Sequence, residues 1–283
     1  MRNSGFRYTG RQLTYPKDIL PALSGIAQVF SQGLEDEYKA GLWNEDLPRR
    51  LLWTVADYQP TPLLPKISAH DQSLESLLDF LSDRDRCLNP SWSWSSRPKH
   101  TNYEILRSGY YGYFFLEAAS LEARTVVEGM NPLGLLSKGE LLITSGVKRI
   151  DSTFVQKKVH KYGTLETCWH VFLNDVSLTL YFDCVINNEI LDVHEISLVL
   201  LGSYGVPFPE EKYRSLSIAQ LEKKRSSYHN TRETWGLIIC PCLNTSQRDV
   251  WFRIGSFHCD GRADVNGWEA FAGDAVVKAI VII

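Results

Sequence analysis

Residues 168–186 read CWHVFLNDVSLTLYFDCVI, and this stretch decides the fold class. Two runs of β-branched and aromatic residues, Cys168–Asn174 and Ser177–Ile186, flank Asn174-Asp175, whose short polar side chains suit a tight turn. A hairpin is predicted here. Similar runs recur on both sides of it: Leu121–Glu128, Glu140–Ile150, Ile196–Leu201, Trp235–Cys240, Val250–His258 and Val276–Ile283. Eight strands in succession, mostly with no helical pattern between them, predict an antiparallel sandwich or barrel-like domain rather than a βαβ sheet.

Before about Tyr110 the apolar period is 3.6 instead of 2. Ile19, Leu20, Leu23, Ile26, Ala27 and Phe30 predict one amphipathic helix between Pro16 and Gln32, with Gly33 just past its end. Asp46 reads as the cap of a short helix carrying Leu47, Leu51 and Leu52, with Pro48 in the first turn and Trp53 closing its apolar side. Leu74, Leu77, Leu78 and Leu81 give a third helical stripe starting near Asp71, and Pro60, Pro62 and Pro65 before it read as an extended connector. The charged stretch 209–233, with Lys223-Lys224-Arg225, has no strand period and reads as a solvated insertion. The predicted class is α+β, mainly β. A short helical and extended N-terminal region over residues 1–108 packs on an antiparallel β domain over residues 109–283.

The chain has 283 residues, 44% of them hydrophobic and 22% charged, which is ordinary globular usage and excludes a disordered or collagenous chain. Lys plus Arg is 30 against Asp plus Glu 33, a formal net charge of −3, so there is no bulk positive field to draw the chain to nucleic acid. Met1–Lys17 lacks the apolar core of a secretory signal. The run Ala275–Ile283 is broken by Lys278 and falls far short of the roughly 20 residues that a membrane span needs. A soluble, cytoplasmic protein is expected, with its six cysteines as thiols.

Motifs for chemistry are scarce. Zinc sites usually show C-x₂-C or H-x₃-H spacing, and neither occurs. The nearest pairs are Cys168 with His170, Cys240 with Cys242, and His258 beside Cys259. Residues i and i+2 share one face of a strand, so the first two pairs could aim two ligands into one space, but buried core thiols are the commoner use. No G-x-S-x-G, G-x-x-x-x-G-K-[ST] or G-x-G-x-x-G is present, and Glu35, Asp36, Glu37, Asp183 and Asp192 form no placed carboxylate pair. The expectation is a chain that is not an enzyme, with no catalytic residue, metal or cofactor. Eight Trp, 13 Tyr and 12 Phe are a richer signal. In Pro90-Ser91-Trp92-Ser93-Trp94-Ser95 two indoles fall on one face of a predicted extended segment, as core anchors or as a platform for a partner or a sugar ring. Trp43, Trp53, Trp92 and Trp94 are the candidate anchor or interaction residues.

Four blocks in series carry a resemblance: Arg11–Ala27 (RQLTYPKDILPALSGIA), Tyr38–Trp43 (YKAGLW), Asp46–Trp53 (DLPRRLLW) and Pro90–Ser95 (PSWSWS). Together they resemble the region that follows the signature domain in fungal heterokaryon-incompatibility (HET) family proteins. Gly236–Ile239 and Trp251–Gly255 are similar in style to the family's variable tail. The resemblance implies a role in fungal non-self recognition, with growth inhibition or programmed cell death as the output and other proteins of an incompatibility system as partners. The HET domain's own motifs should precede Leu13-Thr14-Tyr15, where only twelve residues stand, so none of that domain's residues is carried over. What the resemblance implies for this chain is a non-catalytic regulatory or interaction module. The other reading open from the residues is an aromatic-platform ligand-binding β domain, for carbohydrate among other ligands.

Overall fold

A computed structural model describes residues 15–55, 73–97, 101–102, 113–150, 154–161, 164–173, 176–184, 190–191, 196–205, 217, 219–220, 223, 233–242, 249–259, 271 and 275–283. The connector prolines, Asp71, the turn pair Asn174-Asp175 and most of the charged stretch 209–233 lie outside the described residues.

Helix α1 spans Pro21–Leu34, later than its periodicity suggests. Pro16–Asp18 forms a separate 3₁₀ turn, because Pro21 lacks the N–H that a continuous helix would use and instead occupies the first helical turn. At the other end the helix runs through Gly33, and Glu35 takes the left-handed cap at φ +52°. Strands β1 (Tyr38–Lys39) and β2 (Leu42–Trp43) form a hairpin, followed by α2 (Leu47–Arg50) and β3 (Thr54–Val55). Asp46 makes no capping hydrogen bond; its carboxylate accepts from Arg50 Nε at 2.6 Å. Helix α3 (Leu74–Ser82) is capped by Ser73, whose hydroxyl accepts from the Ser76 N–H, and it buries Leu74, Leu77 and Leu81. Strand β4 (Thr101–Asn102) pairs with β3.

The rest is sheet: β5 (Tyr113–Leu116), β6 (Ser120–Val127), β7 (Leu136–Arg149), β8 (Phe154–Lys161), β9 (Thr164–Leu173), β10 (Val176–Phe182), β11 (Ile190–Leu191), β12 (Ser197–Gly205), β13 (Glu233–Pro241), β14 (Val250–Cys259) and β15 (Val276–Ile282). All eight predicted strands are present, and the fold is α+β, mainly β. Leu173 stands opposite Val176, the register of the predicted hairpin. The order is β11-β8-β9-β10-β14-β13-β12-β7-β15, with β6 on β7 and β5 on β12. The start of β14, Val250–Trp251, also pairs with Val281–Ile282, so strands 7, 12, 13, 14 and 15 return on themselves in a barrel-like ring. That last pairing is parallel, a departure from the all-antiparallel expectation.

Strand β13 is buried on both faces, which explains its unbroken apolar run. Trp235, Leu237 and Ile239 join Leu141, Ile143 and Val147 of β7 in a core completed by Ile19, Leu20, Leu47, Leu51 and Leu52 from the N-terminal region. Ile238 and Cys240 face the opposite core, with Leu178, Leu180, Phe257 and the leucines of α3. A bulge on β14 sets Ile238 opposite Gly255 and Ile239 opposite Arg253, leaving Ile254 as the extra residue. The bulge therefore aims Arg253 at the N-terminal elements. Among the described residues, no helix is long and apolar enough to cross a membrane.

Candidate functional site

The N-terminal blocks close on one another and on the sheet. In the β1–β2 hairpin both turn residues have positive φ, Ala40 at +50° and Gly41 at +92°, as a two-residue primed turn requires. Their carbonyls are claimed by the Trp-rich segment: Ser93 Oγ donates to Ala40 O at 2.5 Å and Trp94 Nε1 to Gly41 O at 2.9 Å. That segment is not extended. The Ser93 N–H reaches back to Pro90 O, and Trp94–Ser96 forms a 3₁₀ turn capped by Ser93 Oγ, so the two indoles do not share a strand face. Trp92 and Trp94 are buried at 0% and 6% exposure, and Trp53 is likewise buried. These rings lie in the core beneath the N-terminal elements rather than at the surface. Trp43 is half-buried, edge-on to Tyr38 at 5.1 Å. A Cβ on Gly41 would lie 2.7 Å from Trp94 Nε1. Gly41→Ala is expected to cost about 2–3 kcal/mol in urea unfolding, from the positive φ together with the broken indole contact.

Beneath this clasp lies a buried ionic centre that the sequence reading did not assign. Arg253 Nη1 pairs with Asp183 Oδ2, its Nη2 donates to Trp53 O at 2.6 Å, and its guanidinium stacks 3.4 Å from the Trp53 ring centroid. Arg97 donates to the Asp183 carbonyl from Nε and Nη2, at 3.2 and 2.9 Å. Trp53 Nε1 donates to Trp92 O at 3.1 Å. Ser91 links the centre to the end of β15: its Oγ accepts from the Arg253 N–H at 2.9 Å and donates to Ile283 O. The signal in the sequence was an arginine inside the apolar run Trp251–Ile254, since a charge there needs a buried partner.

Burial pushes the Asp183 carboxyl up to about 6, while Arg253 and then Arg97 pull it down. The folded chain therefore holds this proton more tightly than the unfolded chain, whose carboxyl keeps the ordinary value near 3.8. Asp183's contribution to stability is greatest below that ordinary value and falls as pH rises through about 6. The unfolding free energy of the wild type relative to Asp183→Asn should be higher at pH 4.5 than at pH 7, by on the order of 2 kcal/mol. Urea titrations at the two pH values measure it.

The structure brings Cys168 and His170 together and sends Cys259 and His258 to opposite faces of β14. Cys168 and His170 share a face of β9, with Sγ 3.5 Å from Nε2, and His170 Nδ1 lies 3.3 Å from Ser177 Oγ. Cys240 is buried in the core under α3, with Cys242 packed against the edge of that core. Cys259 also enters that core, whereas its neighbour His258 stands opposite Trp235. All six cysteines are free thiols. Burial raises Cys87 to about 11, which keeps it protonated and unreactive. Among the described residues no three His, Cys, Asp or Glu side chains converge as metal ligands.

A second cluster, on β12–β14 and β5, was also not foreseen. Arg49 lies over the Phe114 ring, Phe114 meets Tyr204 edge-on at 5.1 Å, Tyr204 meets Trp235 at 6.4 Å, and Trp235 stacks on His258 at 4.1 Å. His258 Nε2 is 3.5 Å from Glu233 Oε2. Burial raises the Tyr204 phenol above its ordinary range. Alternation shows that each of these residues faces away from its strand neighbours, but only the register brings the strands' rings together. Compared with protein-family models, curated proteins and solved structures, the chain matches none.

Proposed function

We propose that the chain is a non-catalytic recognition or restraint module of a HET-type incompatibility protein, working in the cytoplasm through protein partners rather than nucleic acid. The observation that carries this reading is an apolar surface on α1. Of its fourteen residues only Ala27 is buried, while Ile26, Val29 and Leu34 are 59%, 70% and 52% exposed. On the opposite side of α1 the β6–β7 loop is tied to the helix, Asn131 donating to Ser24 Oγ at 3.0 Å. Exposed apolar groups adjacent at i and i+3 on a helix, as Ile26 and Val29 are, suit a protein-interaction surface.

Two measurements test the reading. Expressed alone in a fungal host, the chain should leave growth unchanged; a lethal phenotype would show that killing does not require a HET domain and would overturn the restraint role. Mixed with a HET-domain protein from the same fungus, the wild type should form a complex, whereas Ile26→Asp/Val29→Asp should stay folded and bind at least tenfold more weakly. Equal binding by both would remove α1 as the contact surface. The ligand-binding alternative draws on the half-buried Phe114 and Tyr204 rings. It predicts that oligosaccharides quench tryptophan fluorescence in the wild type but not in Tyr204→Ala.

A further inference from the structure

Glu233 and Trp235 on β13, and Ser256 and His258 on β14, occupy neighbouring positions on the sheet, with Trp235 opposite His258 and Leu237 opposite Ser256. Four of their polar atoms, Glu233 Oε2, Trp235 Nε1, Ser256 Oγ and His258 Nε2, are shielded from solvent and make no hydrogen bond. A buried polar atom without a partner is unfavourable, and native proteins rarely leave several together unless water, an ion or a ligand completes them. Here two of the four are an acceptor carboxylate oxygen and an imidazole nitrogen 3.5 Å apart. Stacking on Trp235, with ring planes 23° apart, holds the imidazole in place.

We propose that Glu233 and His258 are the protein ligands of a divalent-cation site of the zinc class on this face of the sheet. An ion at ordinary zinc distances, about 2.1 Å from the carboxylate oxygen and about 2.05 Å from the imidazole nitrogen, spans their 3.5 Å separation with an angle of roughly 115° at the metal. That angle lies in the tetrahedral-to-trigonal range that zinc accepts. Among the described residues no third His, Cys, Asp or Glu joins the pair, so the ion keeps positions for water. Two protein ligands hold such an ion less tightly than the three or four of a structural zinc site, so the expected dissociation constant is micromolar, roughly.

The test uses the full chain after chelator treatment and buffer exchange. Zn²⁺ should raise the melting temperature by several degrees in a saturable manner. Co²⁺ should give visible d–d bands of four- or five-coordinate nitrogen and oxygen ligation, without a thiolate charge-transfer band. Glu233→Gln keeps the side-chain shape but loses the anionic ligand, and His258→Gln removes the imidazole; each should weaken the Co²⁺ titration at least tenfold. Cys168→Ser should leave it unchanged. The absence of any Zn²⁺ shift and Co²⁺ band in the wild type would overturn the proposal and leave Glu233 and His258 as a plain ion pair. A thiolate band abolished by Cys168→Ser but not by Glu233→Gln would also overturn it, moving the ion to Cys168 and His170.

Discussion

Replacing Arg253 with methionine should cost about 3–5 kcal/mol of unfolding free energy at neutral pH, a large share of the stability an ordinary chain has. The side chain is fully buried and serves three groups at once: the Asp183 carboxylate, the Trp53 carbonyl and the Trp53 ring. Methionine fills a similar volume, so the cost is mostly electrostatic rather than a cavity. It leaves a buried carboxylate facing only Arg97's charge, and a buried carbonyl without its donor. The variant's pH response identifies the cause. Without Arg253, burial raises the Asp183 carboxyl further, so the loss should shrink as the solution is acidified toward pH 5. A purely steric cost would stay constant. Pairing Arg253→Met with Asp183→Leu removes both charges and should recover more than half of the loss, because a buried ion pair is seldom worth more than the apolar contacts that can replace it. Urea unfolding of the four chains in this double-mutant cycle, at pH 5 and pH 7.5, measures the coupling.

How much of this arrangement is legible in the sequence depends on the range of the interactions. The eight strands could be read because their alternation is local: Leu141, Ile143 and Val147 enter the core, and their neighbours on β7 stay partly exposed. Strand β8, FVQKKVHK, escaped because lysines interrupt its apolar positions, a composition suited to strands near a sheet edge. Among the described residues its only other partner along the sheet is the two-residue β11. Strand β5 is four residues long and, among the described residues, joins the sheet only through β12. The Asp183–Arg253 centre was out of reach for another reason. Its members are 70 residues apart, and the bulge at Ile254, which no periodicity announces, decides which face Arg253 takes. The same holds for Glu233, Trp235 and His258, which meet through strand register alone. The Trp-rich block was visible as a block, but its expected extended form gave way to a 3₁₀ turn because Ser93 Oγ accepts from the Ser95 N–H and Ser96 Oγ donates to the Ser93 carbonyl.

Trp92→Ala should destabilise the chain by about 3–5 kcal/mol, the range for truncating a fully buried aromatic side chain. The indole contributes by packing alone, since its Nε1 has no hydrogen-bond partner, and the Trp92 carbonyl that accepts from Trp53 remains in the variant. Trp92→Phe should therefore be mild, at about 1–2 kcal/mol, because it keeps an aromatic ring in the site and gives up no hydrogen bond. Trp53→Phe should cost more than Trp92→Phe. It removes the donor to Trp92 O and the larger ring face on which Arg253 rests, leaving a buried carbonyl unsatisfied. Trp43→Ala, at a half-buried ring touching Tyr38, should cost least of the alanine changes at these anchors, about 1 kcal/mol. Urea unfolding followed by far-ultraviolet circular dichroism orders the four variants without relying on the tryptophan signal that the substitutions alter. A Trp92→Ala chain that kept wild-type stability while losing a ligand would show that this ring serves recognition. The expected order instead makes the Trp-rich block a structural anchor that ties the β1–β2 hairpin to the core around Trp53.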